Sequence, residues 1–586
     1  MSSKWRLLFL NIFFSFIGFL LLSRLFYWQI LASEKLVNLA SAQQQTIIKV
    51  SAKRGEILTS DGSFLVANQP AYFSYIKRSQ DKPIPSDLPE TLAPIVFSSI
   101  TATATPSSLL NLKEKEALIK ETQKILSERF SDQRLQWIPI ARKITSTQKT
   151  NLEALNIKDI FFEEEQSRLY PEASMSAHLI GFVGSNEQGG DQGFYGIEGF
   201  YQRELAGRPG IIKQEKDAFN QPIVMGDYLT QNKKDGRQLQ LYLNKSLQYI
   251  IENKLAKAIT QFGAKSGSIS VMDPYTGAII AMASLPSYDP QEFSIFSPEL
   301  FLNPVVSDAF EPGSIFKVLV MAAGLDAGVI KKDTKCDICD GPLKIDKYTI
   351  NTWDDKYRPD SNMTDVLVNS DNVGMVFIGQ KLGLEKFYDY FDKFGLNQKT
   401  NIDLQDEVAP VARKKNDWTY VDLATASFGQ GFLSTGIQLL QAVSVIANGG
   451  NLVEPHLVEK VINEIKETTI PTKIKHRVIS TETASVVTDM MVASAKEGEA
   501  KWASIKGYQI AGKTGTAQIA FEGKYQEEKT NASFIGFAPA KNPKFVMLVT
   551  LKEPSTSQWA SETAAPLWFS VAQDLLNHFN VLPENL

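Results

Sequence analysis

The hydrophobic pattern changes texture along the chain. From Leu7 to Ser23 (LLFLNIFFSFIGFLLLS) no residue is charged, and apolar character resumes after Arg24 through Phe26, Tyr27, Trp28 and Ile30. At about 1.5 Å per residue such a run is long enough to cross a hydrocarbon core of roughly 30 Å. Lys4 and Arg6 precede it, and Tyr27 and Trp28 stand where an interfacial aromatic belt would lie. A cleaved signal peptide is the competing reading, but its apolar region would be unusually long. Its one A-x-A match, Ala40-Ser41-Ala42, also lies beyond Glu34 and Lys35. The pattern predicts a cytoplasmic tail over 1–6, a single-pass transmembrane anchor over 7–30, and the bulk of the chain outside the cytoplasm.

Between about Ser33 and Asp235 short β-like runs alternate with charged helical stretches, of which Lys113–Arg129 is the clearest. Ser98–Ser108 (SSITATATPSS) is low in complexity and predicts a loop, and Gly181–Gly210 is dense in turn signals. From Gln240 the pattern shifts. An amphipathic helix over Leu247–Gln261 leads into apolar runs Gly267–Met272 and Ala278–Ala283 around Asp273-Pro-Tyr-Thr-Gly277, which predicts a hairpin. Ala532–Ala538 and Phe545–Leu551 flank Pro539-Ala-Lys-Asn-Pro543 in the same way, and a helix over about Pro566–Phe579 follows. Strands at both ends of this region with helices between them predict an α+β sandwich whose sheet is completed by distant segments.

Composition narrows the function classes. At roughly 150 residues per domain, 586 residues suggest two to four domains, and 43% hydrophobic with 22% charged residues excludes disorder. A net charge of -4 leaves no basic excess to neutralise phosphates, so nucleic acid is not an expected partner. Two cysteines and four histidines exclude a disulfide-dense scaffold and a His-rich metal enzyme. Cys336-x-x-Cys339 has zinc-like spacing, yet one pair cannot close a four-ligand site, which leaves a local disulfide or two free thiols.

The first chemical signal is Glu311-Pro312-Gly313-Ser314-Ile315-Phe316-Lys317. In SIFKVLVMAA (Ser314–Ala323) only Ser314 and Lys317 are polar, so the pattern predicts a helix buried on nearly every face and ended by Gly324. A lysine buried there costs several kcal/mol unless it is partnered or neutral. At i and i+3 the Ser314 hydroxyl can meet the Lys317 amine, and a neutral amine can take the serine proton. An S-x-x-K alone is a common chance match on a helix surface. Two further segments remove that reading. Ser370-Asp371-Asn372 forms a polar joint between apolar helices starting near Thr364 and at Val373. Lys513-Thr514-Gly515-Thr516 ends a β-like run, Tyr508–Gly512, and continues into Ala517-Gln518. The three motifs follow in the order S-x-x-K, S-x-N, K-T-G, about 53 and about 141 residues apart, the signature set of active-serine enzymes that meet β-lactams.

On these motifs the sequence resembles the penicillin-binding proteins, specifically the monofunctional class B transpeptidases, and the resemblance covers almost the whole chain. Arg54-Gly55-Glu56-Ile57 with Asp61-Gly62 looks like the family's early R-G-x-I segment, although Thr59 and Ser60 replace its usual Asp-Arg. Arg168-Leu-Tyr-Pro171, Ala177-His178-Leu-Ile-Gly181, Gly196-Ile-Glu198 and Leu205-Ala-Gly-Arg-Pro-Gly210 are similar to its non-catalytic pedestal. Asp273-Pro274, Gly429-Gln-Gly431 and Ala447-Asn-Gly-Gly450 are similar to its transpeptidase domain. The resemblance implies a pedestal (dimerisation or partner domain) over 31–235 and a transpeptidase domain over 236–586, an antiparallel sheet flanked by helices as in serine β-lactamases. No E-D-x-x-F-like glycosyltransferase signature precedes them.

What the resemblance implies for chemistry is concrete. Ser314 would attack the carbonyl between the terminal D-alanines of a peptidoglycan stem peptide, with Lys317 as base. Ser370 and Lys513 would relay the proton to the leaving D-alanine, and Asn372 would bind the peptide amide. Thr514 and Thr516 hydroxyls and the Lys513 charge would hold the terminal carboxylate, while Gly515 keeps a side chain out of the substrate's way. The backbone N–H groups of Ser314 and Thr516 would form the oxyanion hole. No cofactor or metal is required. Expected partners are stem peptides, β-lactams, the membrane and a polytopic glycan polymerase of the division or elongation machinery, with a lean towards septal division. A D,D-carboxypeptidase or β-lactamase on the same fold and a non-enzymatic β-lactam sensor or scaffold remain alternatives. His178 and His456 read as structural, and Trp353, Tyr357 and Trp418 either line the cleft or pack elsewhere.

Overall fold

A strand apolar at every position must be buried on both faces, and Phe545–Val549 is such a run. In the computed structural model, which describes residues 3–78, 84–100, 111–157, 159–187, 189–215, 228–410, 413–521 and 524–584, it forms the centre of a five-stranded antiparallel sheet. The strands are β1 (Ser266–Met272), β2 (Ile279–Leu285), β3 (Ala511–Phe521), β4 (Lys524–Ala538) and β5 (Phe545–Lys552), in the order β2-β1-β5-β4-β3. Both predicted hairpins are present, β1 with β2 and β4 with β5.

Side chains alternate across β5. Phe545, Met547, Val549 and Leu551 enter one core with α1 (Lys245–Phe262) and the last helix, Ala564–His578. Val546 and Leu548 enter a second core with α2 (Lys317–Asp326), α3 (Met363–Val368), α4 (Asn372–Lys393), α5 (Gly436–Ala447) and α6 (Thr481–Glu497). The sheet therefore divides two hydrophobic layers, and the segments carrying S-x-x-K and S-x-N belong to the second. α1 matches the predicted helix, opened by Asn244 accepting from Leu247 N at 3.0 Å and closed by Gly263 in the left-handed region.

β3 differs from its prediction. The strand begins at Ala511 rather than Tyr508 and runs on past Gln518 to Phe521, because β4 pairs with it continuously from Ala511 opposite Phe537 to Gln518 opposite Thr530 and beyond a bulge. The K-T-G-T segment thus lies within the strand, on the open edge of the sheet.

A second, seven-stranded sheet takes Phe64–Lys77 as its long member, paired antiparallel with Trp137–Ile144 and Ile160–Leu169. Ile57–Leu58 and Gln238–Leu241 extend it, followed by Val458–Ile462 and Glu467–Thr469, so it draws strands from both sides of residue 235. Helices Leu88–Ile100 and Leu112–Ser131 pack Leu92, Val96, Leu126 and Phe130 against Ile76, Ile138 and Ile140. The predicted Ser98–Ser108 loop is in part helix, since Ser98–Ile100 complete Leu88–Ile100; residues 101–108 lie outside the described residues.

The chain divides into two compact units, 1–54 with 207–236, and 55–206 with 237–586. The first contains the helix Ser3–Phe26, continued by a π-helical turn Tyr27–Leu31, a helix Ser33–Gln44, and a three-stranded antiparallel sheet centred on Gly210–Glu215. Over Lys4–Leu31 the helix has a mean hydropathy of 2.0 and buries nothing. It is the one span long and apolar enough to cross a membrane among the described residues. The second unit contains both sheets described above.

Candidate active site

The signature residues come from three segments that meet beside β3. Gly313–Phe316 is a 3-10 turn that runs directly into α2, so half-buried Ser314 stands one turn ahead of Lys317, the first residue of the helix. Lys317 is fully buried, as are Val318 to Gly324. The predicted stop at Gly324 is not used. α2 continues to Asp326 because Gly324 serves packing, and a Cβ there would come within 2.7 Å of Ile378 and 2.9 Å of Ile330.

The S-x-N triplet is a joint between helices. α3 ends at Val368 and is capped by Asn369, and Ser370 follows with φ 54°, in the left-handed region. A side chain there costs about 1 kcal/mol, a strain typical of functional positions. Asp371 then caps α4, accepting from Val373 N at 2.8 Å and Gly374 N at 3.1 Å, and Asn372 opens that helix. The sharp turn aims both oxygens of Ser370 at one amine. Lys317 Nζ donates to Ser370 O at 2.7 Å, Asn372 Oδ1 at 2.7 Å and Ser370 Oγ at 3.3 Å.

Those three acceptors take the three protons of an ammonium. None is Ser314 Oγ, so the predicted Ser314–Lys317 hydrogen bond is not made here, as is common before substrate tightens a site. Burial first, and the Lys513 charge second, lower the Lys317 pKa to about 7, against the opposing fields of Glu499 and Asp371. A fraction of order one half is therefore neutral near pH 7. Asn372 is also committed, its Nδ2 donating to Asn351 O at 2.9 Å. Its second N–H and the second lone pair of Oδ1 remain to bind a peptide amide.

On β3, Lys513 is buried and its pKa is lowered by that burial, opposed by the Glu499 charge. Its Nζ donates to Thr514 O at 3.2 Å and Thr514 Oγ1 at 3.1 Å. Thr514 Oγ1 in turn donates to Glu499 Oε2 at 2.7 Å. Its single proton is thereby used, and the predicted donation from Thr514 to a substrate carboxylate is unavailable in this arrangement. Thr516 differs, because its hydroxyl accepts from Ala560 N at 3.0 Å and keeps its own proton to give.

Gly515 is needed for packing as well. A Cβ there would approach Ile315 Cγ2 to 2.8 Å and Ile315 N to 2.9 Å, so the catalytic turn itself fills the space. From the other side Gly313 N donates to Gly429 O at 2.9 Å, and a Cβ on Gly429 would strike Gly313 O at 2.0 Å. The turn carrying Ser314 is clamped between β3 and the Gly429-Gln-Gly431 loop. Glu311 adds a strap, accepting from Gly431 N at 3.0 Å and from Tyr525 OH at 3.1 Å.

Two aromatic side chains stand beside these motifs. Trp353 Nε1 donates to Asn369 O at 2.9 Å, next to Ser370, and its ring meets that of Trp559 edge-on at 5.6 Å. Trp559 precedes Ala560, whose N–H reaches Thr516, so the exposed pair links the S-x-N and K-T-G-T segments. Trp418 is instead buried against Phe387, Tyr388 and Phe391, and Tyr357 OH donates to Asn351 Oδ1 at 3.3 Å. The sequence reading missed Trp559 and Glu499, for neither carries a local motif. Cys336 and Cys339 form a buried disulfide. His178 is buried edge-on to Tyr288 with its pKa pushed down to about 4, and His456 packs on Tyr242; both are structural.

The penicillin binding protein transpeptidase domain family matches residues 267–576, and the penicillin-binding protein dimerisation domain family matches 49–241. The chain is 31% identical to the stage V sporulation protein D of Bacillus subtilis over 99% of this chain and 86% of that protein. It is 30% identical to the peptidoglycan D,D-transpeptidase FtsI of Escherichia coli over 77% of this chain and 74% of that one. Among solved structures, penicillin binding protein 2X of Streptococcus thermophilus superposes with a TM-score of 0.71 at 22% identity, covering 91% of this chain and 80% of that one.

Proposed function

The chain belongs to the class B penicillin-binding proteins, serine D,D-transpeptidases of peptidoglycan synthesis, and from that premise we propose that Ser314 is its acyl carrier and Lys317 the base that activates it. The substrate is the peptidoglycan stem peptide, and β-lactams bind the same site. Ser314 Oγ attacks the carbonyl between the two terminal D-alanines while its proton passes to neutral Lys317, directly or through Ser370 Oγ. The Ser314–acyl bond forms, the peptide C–N bond breaks, and the leaving amine takes the proton. An amine from a neighbouring stem then attacks the ester, forming the cross-link and returning a proton to Ser314.

One observation carries this assignment: Lys317 is a fully buried amine held by Ser370 and Asn372 with a pKa of about 7. Lys513 and Thr516 supply the terminal carboxylate with a cation and a hydroxyl. The open edge of β3 presents backbone groups to the cleft, which supports Thr516 N with Ser314 N as the oxyanion hole. Purified protein should be labelled covalently by a fluorescent penicillin, and Ser314→Ala should abolish the label. Stoichiometric labelling of that variant would remove Ser314 from its role.

The transfer reading is favoured over a hydrolase by the match to peptidoglycan D,D-transpeptidases. A penicilloyl adduct should accordingly persist for many minutes to hours, which corresponds to a barrier of roughly 22 to 24 kcal/mol. Intact-protein mass spectrometry decides this, and loss of the adduct within seconds with repeated turnover would replace transferase by hydrolase.

Residues 7–30 are assigned as the anchor, 31–235 as the pedestal and 236–586 as the transpeptidase domain on the outer side of the cytoplasmic membrane. A septal role beside a polytopic glycan polymerase rests on resemblance. An exported form lacking 1–33 should still bind β-lactam yet fail to sustain wall synthesis; full complementation would remove the need for docking through the anchor.

A further inference from the structure

Glu499 occupies a place that packing has fixed. It follows α6 through Gly498, where a Cβ would lie 2.9 Å from Val368 O, the end of the helix that leads to Ser370. It precedes Ala500, which is buried in the sheet's first core. Between these two anchors the carboxylate reaches Thr514 Oγ1 at 2.7 Å, and Thr514 Oγ1 is itself 3.1 Å from Lys513 Nζ. A carboxylate thus stands one hydroxyl away from a buried active-site lysine. The charged groups whose fields reach Lys317 are Lys513 on β3, Asp371 in the joint before α4, and Glu499; the one reaching Lys513 is Glu499. Lys496, Glu497 and Lys501, beside Glu499 in the chain, are exposed.

We propose that Glu499 is a positioning residue of the transpeptidase site: it holds the Thr514 hydroxyl away from substrate and supplies the negative charge that balances Lys317 and Lys513. This rests on the function proposed above. Asp371 is committed to the N-terminus of α4, so its charge is already engaged by two backbone N–H groups. Glu499 is the carboxylate hydrogen-bonded to the K-T-G-T strand. Two consequences follow. Without Glu499 each lysine loses its proton at lower pH, because an anion beside a cation favours the charged form. The incoming terminal carboxylate also meets a cationic site already partly neutralised, so the enzyme relies on Thr516 and backbone donors for that end of the substrate.

The test is the pH dependence of second-order acylation by a penicillin in full-length protein, wild type against Glu499→Gln and Glu499→Asp, with the adduct mapped by mass spectrometry. Glu499→Gln should move both limbs of the profile to lower pH by roughly 0.5 to 1 unit, so that its rate at pH 6, relative to its own plateau, is about 3- to 5-fold higher than wild type. Glu499→Asp keeps the charge and should keep both limbs near their wild-type positions while changing the plateau. A merely structural role would lower the plateau in both variants and move neither limb. Unmoved limbs in the Gln variant, or equal movement in the Asp variant, would overturn the proposal; if the Gln variant does not fold, Glu499→Thr takes its place in the same comparison. Adduct on Ser314 with unmoved limbs defeats this inference alone, whereas adduct on another residue defeats the function proposed for the site.

Discussion

Arg168 and Lys317 are both buried cations, yet their surroundings differ in kind. Arg168 donates from Nε to Glu198 Oε1 at 2.7 Å and from Nη1 to Asn68 Oδ1 at 2.8 Å, with both charged side chains at most 4% exposed. Lys317 meets a carbonyl, an amide oxygen and a hydroxyl, and faces a second cation. The first arrangement closes a charge with an opposite charge and ties the Arg168-Leu-Tyr-Pro171 and Gly196-Ile-Glu198 segments together. The planar guanidinium suits it, since its fork meets two acceptors at once. The second leaves a charge poorly compensated, which would be a defect in a scaffold. Here it keeps an amine ready to change protonation state near neutral pH. Burial of charge therefore builds structure in one region and chemistry in the other.

The comparison breaks most sharply with one substitution on each side. Lys317→Ala should lower penicillin acylation by about 10³-fold or more, because the base is lost. Its melting temperature should stay within roughly 5 °C of wild type, since no compensated pair is broken. Near-normal acylation would point to another base. Glu198→Gln should do the reverse. Stranding Arg168 should cost about 3 to 5 kcal/mol in denaturant unfolding, while the protein that remains folded acylates at the wild-type rate. Equal loss of activity and stability in that variant would show the two regions to be coupled.

Geometry rather than charge gives the next effect. Gly515→Ala places a methyl where Ile315 N and Cγ2 now stand within 3 Å, so the turn bearing Ser314 must shift. A displacement of this kind should slow acylation by about 10²-fold with Lys317 untouched, and the midpoint of the pH profile should not move.

The pH dependence itself is the smallest and sharpest contrast. With the Lys317 pKa lowered to about 7, acylation should rise with pH through that value as the amine becomes neutral. At pH 6 the rate should be about a tenth of its plateau. Stability follows the same sign. The folded value of about 7 lies below the ordinary 10.5, so the unfolded chain binds the extra proton between them. This group's penalty is fully present below about 7 and is relieved as pH rises towards 10.5. Denaturant midpoints of wild type and Lys317→Ala across that range measure the difference. A pH-independent difference would mean that Lys317 titrates at its ordinary value.

Much of the site was legible because its residues are tied to local geometry. Ser314 and Lys317 are one turn apart in an apolar run, and Ser370-Asp371-Asn372 is a joint whose middle residue caps a helix. Both signals are short-range and survive in one dimension. The apolar runs of β1, β2, β4 and β5 were equally plain, since most of each run is buried on both faces. What misled the reading was also local: Gly324 looked like a helix stop but is fixed by the side chains of Ile378 and Ile330 packed against it.

The sequence by itself therefore determined the long apolar N-terminal helix, the two hairpins of a sheet flanked by helices, and the candidates for the serine and its lysines. The tertiary structure alone decided which hydroxyl carries a free proton and which carboxylate answers the lysines. It also decided that Trp559 would meet Trp353 beside the K-T-G-T strand. The reason is physical. A period of two or 3.6 residues is set by bonds within a segment, whereas the Thr514–Glu499 contact and the fields on Lys317 depend on where α2, α4, α6 and β3 come to rest against one another.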